Sequence, residues 1–243
     1  DFADALNDQL KVRLTGALEH SDGYRNQSFV NRETVAPSAV PFSPALAVSF
    51  GTPRELREDE ILDIIQRFAA SAAICEKAGF EGVQLHGAHG YLISQFLSPL
   101  TNKRQDQWGG SIENRSRFLL EAYKAVRAAT SENFIISVKL NSADFQRGGI
   151  SEEDVIYVFK AMDAAGIDII EVSGGTYEAP AMAGVKAEKR KASTLAREAY
   201  FLDFAEKIRQ EVNCHLMVTG GFRTATGMNA ALDSGACDFV GIA

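Results

Sequence analysis

The sequence predicts an α/β fold, a (β/α)8 TIM barrel that is incomplete, with about five recognisable strand–helix units. Two observations predict it. From residue 57 onward, strand-length apolar runs alternate with longer stretches of helical period across short connections, the pattern of consecutive βα units and a parallel sheet. The first apolar run ends in two imidazoles and a phenol, His86, His89 and Tyr91, at the strand end where barrels of this kind carry their chemistry.

The elements follow in order. Leu6 to His20 reads as one helix, and Ala36 to Ala45 as a Pro-rich loop, with no convincing trio of strands before residue 57. Glu58 to Lys77 places Ile61, Ile64, Ile65, Phe68 and Ala72 close to a 3.6 period, an amphipathic helix that Gly79 stops. A first strand covers Gly82 to His86, then a helix Asn114 to Ala129 with Phe118, Leu119, Ala122 and Val126 on one side. Phe134 to Leu140 is a second strand. Ser151 with acidic residues in the following turn opens a helix running to Gly166. Ile167 to Val172 is a third strand, Ala196 to Val212 a helix, and His215 to Val218 a fourth strand. Thr224 to Gly235 is a helix and Asp238 to Ile242 a fifth strand.

Composition narrows the function classes. A chain of 243 residues, 46% hydrophobic and 23% charged, buries a substantial core. A net charge of −7 without a long basic run argues against nucleic acid as a partner. No stretch approaches the roughly 18 apolar residues of a membrane helix, and Asp1-Phe-Ala-Asp lacks the basic start of a signal peptide. Cys75, Cys214 and Cys237 are scattered and read as buried thiols of a reducing compartment. The expectation is a cytoplasmic protein without membrane or nucleic-acid partners, with a homo-oligomer compatible.

Chemistry concentrates in His86-x-x-His89-Gly-Tyr91. His and Tyr together can hold a carbonyl oxygen and deliver a proton to a neighbouring carbon. The bland alternative is a pair of hydrogen-bonded core histidines. A metal site is the other alternative, but no third ligand of convincing spacing follows. Lys139 lies near a strand end in an apolar run, where a charge is costly unless paired; a lysine reaching solvent is the ordinary reading, and Asn141 is a weaker candidate beside it. Gly220-Gly221 sits between a strand and a helix, where a phosphate can approach backbone N–H groups, although such a pair often marks only a tight loop.

His86-x-x-His89-Gly-Tyr91-Leu-x-x-Gln95-Phe-Leu-Ser-Pro99, followed by Asn102-Lys-Arg104-x-Asp106-x-Trp108-Gly-Gly-Ser111-x-Glu-Asn114-Arg115-x-Arg117-Phe118, closely resembles the Old Yellow Enzyme family of FMN-dependent ene-reductases. Ser137-Val-Lys139-Leu-Asn141, Glu171-Val-Ser-Gly-Gly175 and Val218-Thr-Gly-Gly221-Phe look like that family's later strands. The resemblance divides the chain into residues 1–35, unassigned, and 36–243, a partial FMN-type barrel. It implies FMN as cofactor, NAD(P)H as reductant and a small activated alkene as substrate. His86 and His89 would grip the carbonyl oxygen and Tyr91 would protonate Cα; an ordinary tyrosine, with a pKa near ~10, is protonated at neutral pH. Lys139 would stand where many members carry arginine against the flavin, keeping the charge but losing the fork. Gly220, Gly221 and Ala243 would approach the FMN phosphate, and Ser173-Gly-Gly175 would face the flavin or form an ordinary turn. Asn102, Arg104, Asp106, Asn114, Arg115 and Arg117 would hold the wall of the site, and Trp108 has no assigned chemistry. The resemblance also implies about three strands at the front and a final helix at the back that are not recognisable here, so this chain alone is expected to bind FMN weakly or not at all. A non-catalytic protein keeping the motif by descent is the second function that this pattern allows.

Overall fold

The computed structural model describes residues 34–42, 51–144, 146–175 and 201–242. The expected helix at Leu6 to His20, the start of the one expected at Ala196, and Ala243 lie outside these residues. In chain order the elements are β1 (Val35–Ala36), β2 (Arg54–Glu55), α1 (Glu58–Lys77), β3 (Gly82–Gly87), α2 (Leu92–Leu97), α3 (Ile112–Ala129), β4 (Ile135–Asn141), α4 (Glu152–Ala165), β5 (Ile169–Ser173), α5 (Leu202–Ile208), β6 (His215–Thr219), α6 (Ala225–Asp233) and β7 (Phe239–Gly241). Strands β3 to β7 form one parallel sheet in sequential order, joined by crossover helices, the arrangement of a TIM-type barrel. The pair β1–β2 is a separate parallel contact in the stretch before residue 57, where the sequence shows no convincing trio of strands. It is two residues long on each side, too short for any periodic signal.

Two faces of the sheet differ because side chains alternate along each strand. Leu85, Ile136, Val138, Leu140, Ile170, Val172, Leu216 and Val218 are buried with helix residues such as Ile61, Ile65, Phe118, Leu119, Phe159 and Ile208 in one apolar cluster. Full burial of each such side chain stabilises by about 1.5–3 kcal/mol. The register places Gln84 and His86 of β3, Ser137, Lys139 and Asn141 of β4, and Glu171 and Ser173 of β5 on the other face. A parallel strand packed against apolar neighbours on both sides reads as a continuous apolar run. These strands alternate instead, so their second face is reserved for polar work.

Helix ends follow local chemistry. Glu60 in the first turn of α1 accepts a hydrogen bond from the Arg57 backbone N–H at 2.8 Å and pairs with Arg54. Ser151 Oγ caps α4 by accepting from Asp154 N at 3.1 Å, and Gly166 ends it with φ +90°. No helix among the described residues is long and apolar enough to cross a membrane. Cys237 is buried, whereas Cys75 and Cys214 are half-buried rather than enclosed as the sequence suggested, and all three thiols are free.

Candidate active site

Strand β3 delivers His86 to the end of the sheet, directly opposite Lys139 of β4. The chain then turns through His89 at φ +62° and Gly90 at φ +83°, two successive left-handed residues. That conformation costs a non-glycine residue about 1–2 kcal/mol, so the surroundings must hold His89 in place. They do so at both its backbone and its ring. The His89 N–H donates to Asn141 Oδ1 at 3.2 Å, and His89 Nε2 lies 2.8 Å from Ser173 Oγ. Asn141 is itself oriented, since its Nδ2 donates to Asp144 Oδ1 and to the Gly175 carbonyl, both at 3.0 Å.

Tyr91 is the N-cap residue of α2. All six residues of α2 are buried, so the helix has no polar face and no amphipathic period in the sequence. Ser94 Oγ accepts from Gly90 N, and Gln95 Nε2 donates to the Gly90 carbonyl at 2.7 Å, bracing the turn that carries the tyrosine. The result brings together the three rings that the sequence singles out. Ring centres of His86 and His89 are 5.2 Å apart, nearly perpendicular, and Tyr91 lies 4.5 Å from His86.

Both imidazoles are held in the neutral form. Burial pushes the His86 pKa down to about 4, with His89 and Lys139 adding repulsion. Burial also lowers His89, reinforced by Lys139 and opposed by Glu171. His86 Nδ1 is buried without a hydrogen-bond partner, as is Thr219 Oγ1 near the end of β6. Polar atoms left this way inside a protein call for a ligand or a solvent molecule.

Lys139 does not simply reach solvent. Its Nζ pairs with Glu171 Oε1 at 3.1 Å, and the Glu171 side chain is only 3% exposed. The other carboxylate oxygen accepts from Gln84 Nε2 at 2.7 Å. Glu171 and Gln84 carried no functional assignment from the sequence. The available signal was their period: charged or amide side chains at alternate positions of otherwise apolar strands, in register with Lys139.

Gly220 and Gly221 follow β6 with φ +127° and +83°, a backbone only glycine adopts readily, and lead to α6, capped by Thr224 Oγ1. The loop after α2 is scaffolding. Arg104 donates to the carbonyls of Pro37 and Leu56 and pairs with Asp106, while Asn102 Nδ2 donates to the Phe96 and Trp108 carbonyls. Arg115 reaches the Leu97 carbonyl and Asp154.

The family model described as "NADH:flavin oxidoreductase / NADH oxidase family" matches residues 14–243. The chain is 40% identical over 226 residues to the NADH-dependent flavin oxidoreductase iccE of Talaromyces variabilis, covering 89% of this chain and 55% of that protein. It is 37% identical over 217 residues to an NADPH dehydrogenase of Geobacillus sp. (strain WCH70), covering 89% and 58%. Among solved structures, a 2-naphthoyl-CoA reductase complex superposes with a TM-score of 0.77 at 31% identity, over 87% of this chain and 31% of that one. The chain thus spans little more than half the length of these curated relatives.

Proposed function

The chain belongs to the NADH:flavin oxidoreductase / NADH oxidase family, and on that premise we propose that it is an NAD(P)H-dependent flavin oxidoreductase that reduces the C=C bond of α,β-unsaturated carbonyl compounds. The observation that carries this reading is the packing of His86, His89 and Tyr91 at one strand end, on the polar face of the sheet. The residues present fit FMN: a cation at Lys139, an unpartnered buried nitrogen on His86, and a glycine turn ahead of a helix. Lys139 would face the flavin ring, and Gly220, Gly221 and Ala243 the phosphate; Ala243 lies outside the described residues.

FMN, held by Lys139 and the Gly220-Gly221 turn, would supply the hydride chemistry between NAD(P)H and the β-carbon of the alkene. The chain's own residues handle charge and protons. As the carbonyl oxygen gains negative charge, His86 and His89 offer it N–H donors held in place by the turn after β3. Their depressed pKa values make these neutral donors at pH 7, so neither ring gives up a proton in the grip. Tyr91 delivers the proton to Cα, completing addition of one hydride and one proton across the double bond. The Glu171 carboxylate balances Lys139, so the floor of the site is close to neutral overall.

Anaerobic incubation of FMN-loaded protein with NADPH and 2-cyclohexenone tests this reading. Formation of cyclohexanone, abolished in Tyr91→Phe, is the expected result. NAD(P)H oxidation without alkene reduction would overturn the substrate assignment while leaving the flavin assignment standing.

A further inference from the structure

We propose that Ser173 is a positioning residue that decides which nitrogen of His89 carries the ring proton, a role that rests on the reading of His89 as a donor to the substrate oxygen. His89 Nε2 lies 2.8 Å from Ser173 Oγ. A hydroxyl can either donate or accept across that distance. If Nε2 gave its proton to Ser173, the remaining Nδ1 of a neutral ring would present only a lone pair, which repels a developing oxyanion. Donation by Ser173 to Nε2 places the ring proton on Nδ1, which has no hydrogen bond to any described residue. The second nitrogen is then a donor free for a ligand. Carboxylates and carbonyls fix histidine tautomers elsewhere by the same logic.

Three further observations support this assignment. His89 is neutral at ordinary pH because burial and Lys139 depress its pKa, so the tautomer matters rather than being erased by a second proton. Asn141 holds the His89 backbone while Ser173, its register partner on β5, holds the ring, so the imidazole has little freedom to flip. Ser173 is itself tied down: its carbonyl accepts from Ser142 N at 2.7 Å and Ser142 Oγ at 3.0 Å. His86 complements the arrangement. Its Nδ1 is buried without a partner, and a ring proton on Nε2 avoids burying an unpaired N–H donor. One histidine would then donate from Nε2 and its neighbour from Nδ1, a mixed-tautomer pair set by the protein.

The test reads the ring nitrogens directly. Protein labelled with 15N in its histidines is examined by long-range 1H–15N correlation, with His89 assigned through its loss in His89→Gln. Neutral His89 protonated on Nδ1 in the native protein is expected, with Ser173→Ala shifting the ring toward the Nε2–H form that free imidazoles favour. Ser173→Thr, which keeps the hydroxyl, restores the native signature. In FMN-loaded protein, Ser173→Ala lowers kcat/KM by about tenfold, the equivalent of one hydrogen bond, and Ser173→Thr recovers it. His215, on another strand, serves as the folding control and keeps its shifts. An Nε2–H tautomer in the native protein, or an unchanged tautomer in Ser173→Ala, overturns the proposal. The spectra need neither flavin nor substrate, so failure of FMN binding would instead count against the functional reading alone.

Discussion

At the N-terminal ends of β5 and β7, Asp168 and Asp238 each do the same job. Asp168 Oδ2 accepts from the Ile136 N–H of the neighbouring strand at 2.7 Å and from Arg127 at the end of α3. Asp238 Oδ2 accepts from the Leu216 N–H at 2.8 Å and from Arg209, the residue just after α5. The two arginines repeat the pattern again by donating to carbonyls of the next loop, Phe134 in one case and Val212 and Cys214 in the other. At the opposite end of the same sheet, β3 and β4 carry or lead to a left-handed histidine, a buried imidazole nitrogen without a partner, and a neutralised lysine. One end of the sheet satisfies its polar groups within itself; the other leaves His86 Nδ1 and Thr219 Oγ1 without a partner. In a barrel, this is the division between the stabilising face and the reactive face. Substitutions should therefore separate stability from activity according to which end of the sheet they touch.

The largest separation is expected for Tyr91→Phe. Activity should fall by roughly 10²–10⁴-fold, the usual worth of a positioned general acid, while the melting temperature stays within error of the parent. A parallel loss of stability would break the contrast between the two ends.

Acid denaturation comes next. The His86 pKa is about 4 in the folded chain against 6.5 for an ordinary histidine. Between those values the unfolded chain binds a proton that the native chain refuses. The stability linked to this group is complete above pH 6.5 and drains away as pH falls toward 4, by about 3 kcal/mol in all. Chemical denaturation of His86→Gln across that window should show a flatter profile than the parent. An equally steep profile would mean that His86 is not the group responsible.

Asp168→Ala should act at the other end, lowering stability by about 1–3 kcal/mol because a backbone N–H and an arginine lose their acceptor. The carboxylate is 40% exposed, which keeps the effect toward the lower value. FMN affinity in the folded fraction should not change; a weakened affinity would show the two ends to be coupled. Smallest of all, Asp63→Asn removes an exposed pair with Arg67 on α1 and should cost no more than about 0.5 kcal/mol.

The sequence made some of this plain and hid the rest for physical reasons. Helix α1 was legible to the residue because it has one apolar stripe and a charged remainder. All five strands of the main sheet were placed within about two residues at either end, since glycines and helix caps bracket them. Helix α2 was invisible because it is six residues long and buried on every side, its polar Ser94 and Gln95 included. That His86, His89 and Tyr91 would lie together was legible from their spacing, and the buried arginine loop from its density of matched polar residues. The partners of Lys139 and His89 were not, because Glu171 and Ser173 reach them across the sheet rather than along the chain. The register that pairs β4 with β5 sets Lys139 beside Glu171, and Ser173 meets His89 from 84 positions away.

Alkene reduction at this site requires that the polar face of the sheet hold a flavin. Visible absorbance of purified, monodisperse protein titrated with FMN measures that. Saturable binding with a shifted flavin band, weakened in Lys139→Met, is the predicted result. Well-folded protein that leaves the FMN spectrum unchanged at every concentration would contradict it.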